Sequence, residues 1–233
     1  MASDLSYLTI VTYGRTGSTA LQSSLNALPG VLIRGENYGA IRGLALYARA
    51  IAASADRHNA GKPEHPWFGT ARMDPSATVA DLRRHVLEHL LRPRKSTRWV
   101  GFKEVRYEPG HFEDYEQLLD YLLFLNSLFP QIRYLFNVRD EEQTARSGWW
   151  PNNPNALKVL RTTREWLERA ENDLAHIFSD PTRARLVRYE EWSLDAQILI
   201  STFAELGLPR DDAAVRAALA PRLSHGRSGE DQQ

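Results

Sequence analysis

The sequence predicts an α/β fold, with one domain built on a parallel β-sheet that carries helices on both faces. Short apolar runs rich in β-branched residues alternate with longer segments whose apolar residues recur at helical spacing, which is typical of such a sheet. The chain has 233 residues, of which 42% are hydrophobic and 25% charged, enough for one full core. No repeat, low-complexity tract or linker divides it, so residues 1–233 are expected to form a single domain.

Composition and charge exclude several classes of protein. Lys plus Arg and Asp plus Glu number 29 each, which argues against a nucleic-acid partner. Cysteine is absent, and this excludes disulfides, thiolate metal sites and cysteine nucleophiles. Because neither a signal sequence nor an apolar run of about 18 residues is present, we expect a cytoplasmic protein without a membrane span.

The first predicted strand, residues 8–11, leads through a polar loop at 13–19 into a helix. A strand, a glycine loop and a helix start together direct backbone N–H groups and the positive end of the helix dipole at an anion. We therefore interpret the loop as a phosphate-binding loop; the alternative is a simple turn between strand and helix. The loop offers two glycines, three hydroxyls and one cation: Gly14, Gly17, Thr16, Ser18, Thr19 and Arg15.

The second predicted strand, residues 31–33, ends in a polar segment that contains Glu36. Polar residues at strand ends line the crevice of open α/β sheets, so Glu36 is a candidate site residue. Apolar spacing then predicts a helix over 38–60, a Pro- and Gly-rich loop over 61–78, and an amphipathic helix over 79–92.

The remaining elements repeat the alternation of strand and helix. Strands are predicted at 99–103, 132–138 and 184–188, and Lys103 ends the first of these. Between and after the strands we predict helices over 113–129, from Asp140 to Ser147, over 155–178, from a Ser193 cap to Leu206, and over 211–219. No role is assigned to the polar tail, residues 221–233.

A second candidate anion site follows the strand at 132–138. Arg139 lies at the end of this strand, and Ser147 follows eight positions later on the next predicted helix. A phosphate dianion is well matched by a planar guanidinium and a hydroxyl donor. The alternative for Arg139 is a structural ion pair with Asp140, which is also placed to cap the helix.

The segment Tyr-Gly-Arg-Thr-Gly-Ser-Thr at 13–19, the Arg139 and Ser147 pair, and the segment around Tyr189 resemble motifs of the sulfotransferases that use 3′-phosphoadenosine 5′-phosphosulfate (PAPS). The resemblance implies PAPS as donor, adenosine 3′,5′-bisphosphate (PAP) as product, and no metal. It further implies a P-loop-type sheet whose first loop holds the 5′-phosphosulfate, with Arg139 and Ser147 on the 3′-phosphate. Tyr189 would lie near the adenine or simply fill the core.

Two departures assign the chain to a branch of that family. Arg15 stands where the cytosolic small-molecule enzymes carry Lys, and their C-terminal Lys-Gly-x-x-Gly loop is absent, with only residues 224–229 as a substitute. The chain therefore resembles the bacterial and tyrosylprotein-sulfotransferase-like branch.

The resemblance also indicates catalytic residues. Glu36 lies in a segment similar to the Gly-Glu segment that supplies the base of tyrosylprotein sulfotransferases, while Arg15 and Lys103 would stabilise developing charge. The alternatives are that Glu36 is a surface or ion-paired residue, and that Lys103 only pairs with Glu36 or Glu104. His65 and His111 are alternative bases.

The acceptor is less closely defined. A carbohydrate hydroxyl is favoured, and a small-molecule or phenolic hydroxyl is the alternative. Residues 38–96 are expected to form a helical and loop insertion on the acceptor side. Rival functions are a metal-dependent P-loop kinase, which would need a Lys after Gly17, and a catalytically silent PAP-binding module. The oligomeric state stays open. The loops beside the predicted cleft supply candidate acceptor contacts: His65, Trp67, Phe68, Trp149 and Trp150.

Overall fold

The computed structural model describes residues 5–57 and 62–227, with side chains to Ala220. Five strands form one parallel sheet in the order β2-β3-β1-β4-β5, which confirms the predicted fold class. The strands are β1 (Ser6–Thr12), β2 (Val31–Arg34), β3 (Trp99–Glu104), β4 (Arg133–Val138) and β5 (Ala184–Arg188).

Helices connect the strands and follow the last one. They are α1 (Ser18–Asn26), α2 (Ala40–Ala55), α3 (Pro75–His85), α4 (Tyr115–Leu128), α5 (Glu141–Ala145), α6 (Ala156–Ile177), α7 (Tyr189–Trp192), α8 (Ala196–Glu205) and α9 (Asp212–Arg227). A π-helical segment, Val86–Leu91, continues α3, and 3₁₀ turns lie at Thr70–Arg72, Trp150–Asn152 and Pro181–Arg183.

The two faces of the sheet are covered by different helices. In β1, Leu8 and Ile10 join a core with α1, α8 and α9, whereas Tyr7 and Val11 join a core with α2, α3, α4 and α6. This division follows from the strand period of two, which sends successive side chains to opposite faces. Both faces are therefore buried, as the continuous apolar runs predict.

The order in which the chain forms its strands leaves a crevice at the carboxyl ends of the neighbouring strands β1 and β4. The helix after β1 packs on one face of the sheet, and α6, which leads from β4 to β5, packs on the other. Such a change of direction leaves an opening between neighbouring strands, where ligands of α/β proteins usually bind. The loop after β1 and Arg139 after β4 both lie at this opening.

Several predicted boundaries were wrong. The predicted loop over 61–78 ends earlier, because Asp74 accepts a hydrogen bond from the Ala77 N–H at 2.9 Å and starts α3 at Pro75. The helix predicted from Ser193 is α8, which starts later, at Ala196: Ser193 is the C-cap of α7, and Asp195 is the N-cap of α8. The last helix extends to Arg227 rather than 219. The predicted end of the 38–60 helix and the start of the next loop fall partly on residues 58–61, which lie outside the described residues, as do 228–233 of the tail.

Candidate active site

The loop after β1 turns through left-handed backbone conformations. Arg15 has φ 73° and Gly17 has φ 74°, and Gly17 is the N-cap of α1. No described side chain caps this helix, and the Ala20 N–H donates to the Gly17 carbonyl at 2.9 Å, which leaves the Ser18 and Thr19 N–H groups to bind an anion in the crevice.

A network of buried polar side chains supports the loop after β1 on the side of the loop that faces the protein interior. Thr12 Oγ1 donates to the Asn137 carbonyl at 2.6 Å and lies 2.7 Å from Thr16 Oγ1. Asn137 Nδ2 donates to the Thr16 carbonyl at 3.0 Å, and Trp192 Nε1 donates to Asn137 Oδ1 at 2.9 Å. The Thr16 hydroxyl, which also donates to the Tyr13 carbonyl at 3.1 Å, is thus engaged inside the protein.

Aromatic side chains pack against the two glycines of the loop. Trp149 packs on Gly14 so closely that a Cβ there would lie 2.3 Å from the indole ring, and Trp150 Nε1 donates to the Gly14 carbonyl at 3.2 Å. Tyr189 packs on Gly17, where a Cβ would lie 2.4 Å from its ring. Close packing therefore favours glycine at both positions, and the left-handed backbone is a second reason at Gly17.

Tyr13 ties the loop to the strand end that carries Arg139. The Arg139 N–H donates to the Tyr13 hydroxyl at 2.9 Å, and that hydroxyl in turn donates to the Arg139 carbonyl. Burial raises the pKa of Tyr13 well above its ordinary value, so the hydroxyl keeps its proton and donates at neutral pH.

The residues predicted to bind the cofactor come together around this loop. Arg15 Nε donates to Ser147 Oγ at 3.1 Å, and Arg139 Nη1 donates to the Arg15 carbonyl at 3.0 Å. The Arg139 guanidinium lies 4.5 Å from the centre of the Tyr189 ring, and its buried Nε has no partner among the described residues. Residues far apart in sequence thus converge, and the buried Nε–H of Arg139 remains uncommitted among the described residues.

The predicted base and cation form an ion pair at the ends of β2 and β3. Lys103 Nζ lies 2.8 Å from Glu36 Oε1, with 7% of the Lys103 side chain and 38% of the Glu36 side chain exposed. Lys103 pairs with Ile10 and Glu104 with Val11 across β3 and β1. The ion pair therefore lies at the same edge of the sheet as the phosphate-binding loop.

Arg106 extends this pair into a chain of alternating charge. Its Nη1 lies 2.8 Å from Glu104 Oε1 and 3.5 Å from Glu36 Oε2. Glu104 also accepts hydrogen bonds from the N–H groups of Asn37, at 3.3 Å, and Gly39, at 3.1 Å, which lie directly after Glu36. Glu104 and Arg106 thereby fix the segment that carries Glu36.

The pKa of Glu104 reflects these contacts. Burial raises it, but the hydrogen bonds from Val105, Gly39 and Arg106, together with the positive charge of Arg106, outweigh burial and lower the pKa below its ordinary value. Glu104 is thus an ionised, buried anchor for Arg106.

The two alternative bases lie in different surroundings. His111 is on the segment that follows β3, and its Nε2 lies 3.5 Å from Glu108 Oε1. Burial and the nearby charges of Arg42 and Arg106 lower the His111 pKa. His65 accepts a hydrogen bond from the Trp67 N–H at 3.2 Å within its own turn. His111 is therefore the histidine closer to the Glu36 cluster.

The aromatic residues suggested as acceptor contacts also differ in how exposed they are. Trp150 is 4% exposed and serves the loop, so the expectation that it faces an acceptor is wrong. Trp149 is 57% exposed, and Trp67 packs against Arg57, with 5.1 Å between the guanidinium and the ring centre.

Sequence reasoning missed Asn137, Trp192 and Arg106. Asn137 is a polar residue in an otherwise apolar central strand, and that anomaly was a usable signal. Trp192 and the contact of Arg106 with Glu36 had no comparable signal, because their partners lie 55 and 70 positions away in the sequence.

The described part of the chain contains no helix with the length and apolar character that crossing a bilayer requires. Nor do its His, Asp and Glu side chains form a group of three or more placed to hold a metal ion.

Comparison with known proteins identifies similar chains. A family model for the sulfotransferase family matches residues 8–212. The sulfotransferase domain of the Synechococcus PCC 7002 olefin synthase is similar in structure, with 20% identity, a TM-score of 0.55, and coverage of 95% of this chain and 80% of that one.

Two further solved structures are similar at 13% identity and a TM-score of 0.50. They are the sulfotransferase domain from the curacin biosynthetic pathway, with 92% of this chain and 77% of that one covered, and the sulfotransferase from Alicyclobacillus acidocaldarius, with 94% of each covered. At these identities the likeness shows the fold. No curated protein matches the sequence.

Proposed function

Because the chain belongs to the sulfotransferase family, we propose that it transfers the sulfuryl group of PAPS to an acceptor hydroxyl. The observation that carries this proposal is the convergence of the uncapped glycine loop with Arg15, Arg139 and Ser147 in one crevice. Two anion-binding sets side by side suit a donor that carries phosphate groups at both its 5′ and 3′ positions.

The residues present fit such a donor. The N–H groups of residues 14–19, the Arg15 guanidinium and the Ser18 and Thr19 hydroxyls would hold the 5′-phosphosulfate. Arg139, with an uncommitted buried Nε, and Ser147 would hold the 3′-phosphate. Tyr189 packs on both Gly17 and Arg139. It would therefore fix the position of the 5′-phosphosulfate residues relative to the 3′-phosphate residues, and its ring would also contact the adenine.

The Glu36 cluster supplies the proton chemistry in this proposal. PAPS supplies an activated sulfuryl group, which needs no metal for its transfer. Glu36 accepts the proton of the acceptor hydroxyl as the new O–S bond forms, a contribution of roughly 10²–10⁴-fold in rate. Arg15, Lys103 and the loop N–H groups face the negative charge that develops on the departing phosphate oxygen.

This chemistry requires only a hydroxyl, so the sequence-based preference for a carbohydrate and the small-molecule or phenolic alternative are both compatible with it. The kinase alternative is disfavoured because Ser18 occupies the position where Mg²⁺-dependent phosphate loops carry Lys. A cytoplasmic location stays a prediction from the sequence.

A thermal-shift comparison of PAP with ATP plus Mg²⁺ tests the proposal. A ligand that binds only the folded state stabilises it by RT ln(1 + [L]/Kd), so PAP alone should raise the Tm. A rise only with ATP plus Mg²⁺ would favour a kinase, and no rise with either would contradict a cofactor site. A transfer assay with ³⁵S-labelled PAPS then separates an enzyme from a silent PAP-binding module.

A further inference from the structure

A large groove lies between α2, α3, α4 and the segment that joins β3 to α4. Its volume is about 810 Å³. Binding sites for small molecules usually enclose about 300–1,000 Å³ and are mostly apolar with a few polar groups. The groove is therefore large enough to hold a whole small-molecule ligand.

The floor of the groove is apolar because small residues of one helix face large residues of another. Ala45, Ala48 and Ala52 lie on one face of α2, and Tyr121 and Phe124 of α4 line the opposite wall. The sequence of α2 is mostly apolar, yet only Ile41 and Ala48 of its side chains are buried. The space between these helices is thus left open beside apolar side chains, rather than closed by packing.

Three of the charged residues that line the groove are exposed, namely Arg49, Glu113 and Asp120, and a fourth, Arg42, is half-buried. Arg49 Nη1 and Asp120 Oδ2 are 3.6 Å apart, and these side chains are 68% and 62% exposed. A ligand in the groove would therefore meet the apolar side chains of α2 and α4 along most of its length, and charged groups at the exposed edges and at Arg42.

The residues of the Glu36 cluster do not line the groove, but neighbouring residues connect two of its walls to that cluster. Arg42 of the groove wall is in the first turns of α2, which follows the segment that Glu104 fixes, and it donates to the His111 carbonyl. On the other side, the Phe112 ring of the wall stacks on Tyr107, with ring centres 6.3 Å apart. Tyr107 directly follows Arg106, which contacts Glu36. Both walls are thus continuous with residues that hold Glu36.

We propose that this groove binds the apolar body of the acceptor, and that the acceptor is a hydrophobic small-molecule alcohol or phenol rather than a carbohydrate. The inference rests on the proposed function. A sugar carries several hydroxyls, each of which needs a hydrogen-bond partner when it is buried, and the apolar floor supplies few. A hydrophobic molecule with one reactive hydroxyl buries its body there and leaves that hydroxyl at the Glu36 end.

Filling the groove tests this inference. Ala45→Trp would occupy the space beside α4, whereas Ala53→Trp places the same side chain on an exposed position of α2 outside the groove. With 2-naphthol and 1-decanol as probes, Ala45→Trp should weaken binding and raise KM by on the order of tenfold, and Ala53→Trp should match the wild type. If Ala45→Trp does not fold, Ala52→Trp, at an exposed groove position, replaces it.

The readouts separate this inference from the proposed function. Probe binding is measured by calorimetry with and without PAP, and PAP binding is measured by itself. If the wild-type protein does not bind PAP, the proposed function is contradicted. The groove proposal is overturned if PAP binds but neither probe does, if both tryptophan variants bind the probes equally, or if methyl glucoside alone is sulfated. A dimer that Ala45→Trp dissociates would also overturn it, since a second copy would then fill the groove.

Discussion

Lys103 Nζ lies 2.8 Å from Glu36 Oε1 and joins the ends of two neighbouring strands, β2 and β3. The residue proposed as base and a residue proposed to stabilise charge are thus direct partners. Because Arg106 reaches the other Glu36 oxygen, the carboxylate is held from two sides at the edge of the crevice. This arrangement orients Glu36 before any acceptor arrives.

Glu36→Gln should abolish most turnover without weakening PAP binding. The amide keeps the size of the side chain but cannot accept the acceptor proton, so kcat should fall roughly 10²–10⁴-fold. Calorimetry with PAP and a ³⁵S transfer assay measure the two effects. Glu165→Gln, at an exposed position of α6, is the control. If Glu36→Gln keeps full activity, another residue must be the base, and His111 is the next residue to test.

Arg106→Gln should lower kcat about tenfold and leave PAP affinity unchanged, because Arg106 orients Glu36 without facing the phosphate loop. It should also destabilise the fold by about 1–3 kcal/mol, since the buried Glu104 carboxylate loses a charged partner. Arg106→Lys should restore part of kcat. Stability loss with unchanged kcat would limit Arg106 to a structural role.

Arg139→Ala should weaken PAP binding by about 1.5–3 kcal/mol, the usual contribution of a hydrogen bond to a charged group. Calorimetry with PAP and with adenosine 5′-monophosphate isolates the 3′-phosphate, because the monophosphate lacks it and should lose less affinity. Arg146→Ala removes an 82% exposed guanidinium nearby and serves as the control. Equal losses for both nucleotides would discard the 3′-phosphate assignment.

Gly17→Ala should destabilise the protein more than Gly69→Ala. Both glycines have positive φ, 74° and 84°, so each substitution carries a backbone cost of roughly 1–2 kcal/mol. At Gly17 the new Cβ would also meet the Tyr189 ring at 2.4 Å, whereas nothing described lies within 4 Å at Gly69. Urea denaturation should therefore show about 1–3 kcal/mol of additional loss at Gly17. Equal losses would mean that the Tyr189 contact is relaxed in solution.

The lowered pKa of Glu104 predicts a pH dependence of stability. A carboxyl whose pKa is lower in the folded than in the unfolded state stabilises the fold above its unfolded value, near 4.5, and loses that effect as pH falls through its folded pKa. Wild-type stability should therefore decline below about pH 4.5, and Glu104→Gln should decline less steeply. Glu165→Gln should keep the wild-type slope. Parallel curves for all three proteins would contradict the assignment.

Local sequence was sufficient to predict the elements that carry the site. The glycines between a β-branched run and an apolar helix predict the phosphate-binding loop, and the ends of three strands predict where Glu36, Lys103 and Arg139 lie. The strand-end residues lie at one edge because parallel strands all end at the same edge of a sheet, so the fold class alone brings them together.

Only the tertiary structure decided how those residues are held and what lies beside them. Trp150 donates to the Gly14 carbonyl, although the two residues are 136 positions apart in sequence. Arg106 pairs with both Glu36 and Glu104. The groove lies in the space between α2 and α4. Such contacts depend on side chains from separate elements meeting in three dimensions. A periodic pattern in the sequence records which face of an element is buried, but not which distant residue it meets.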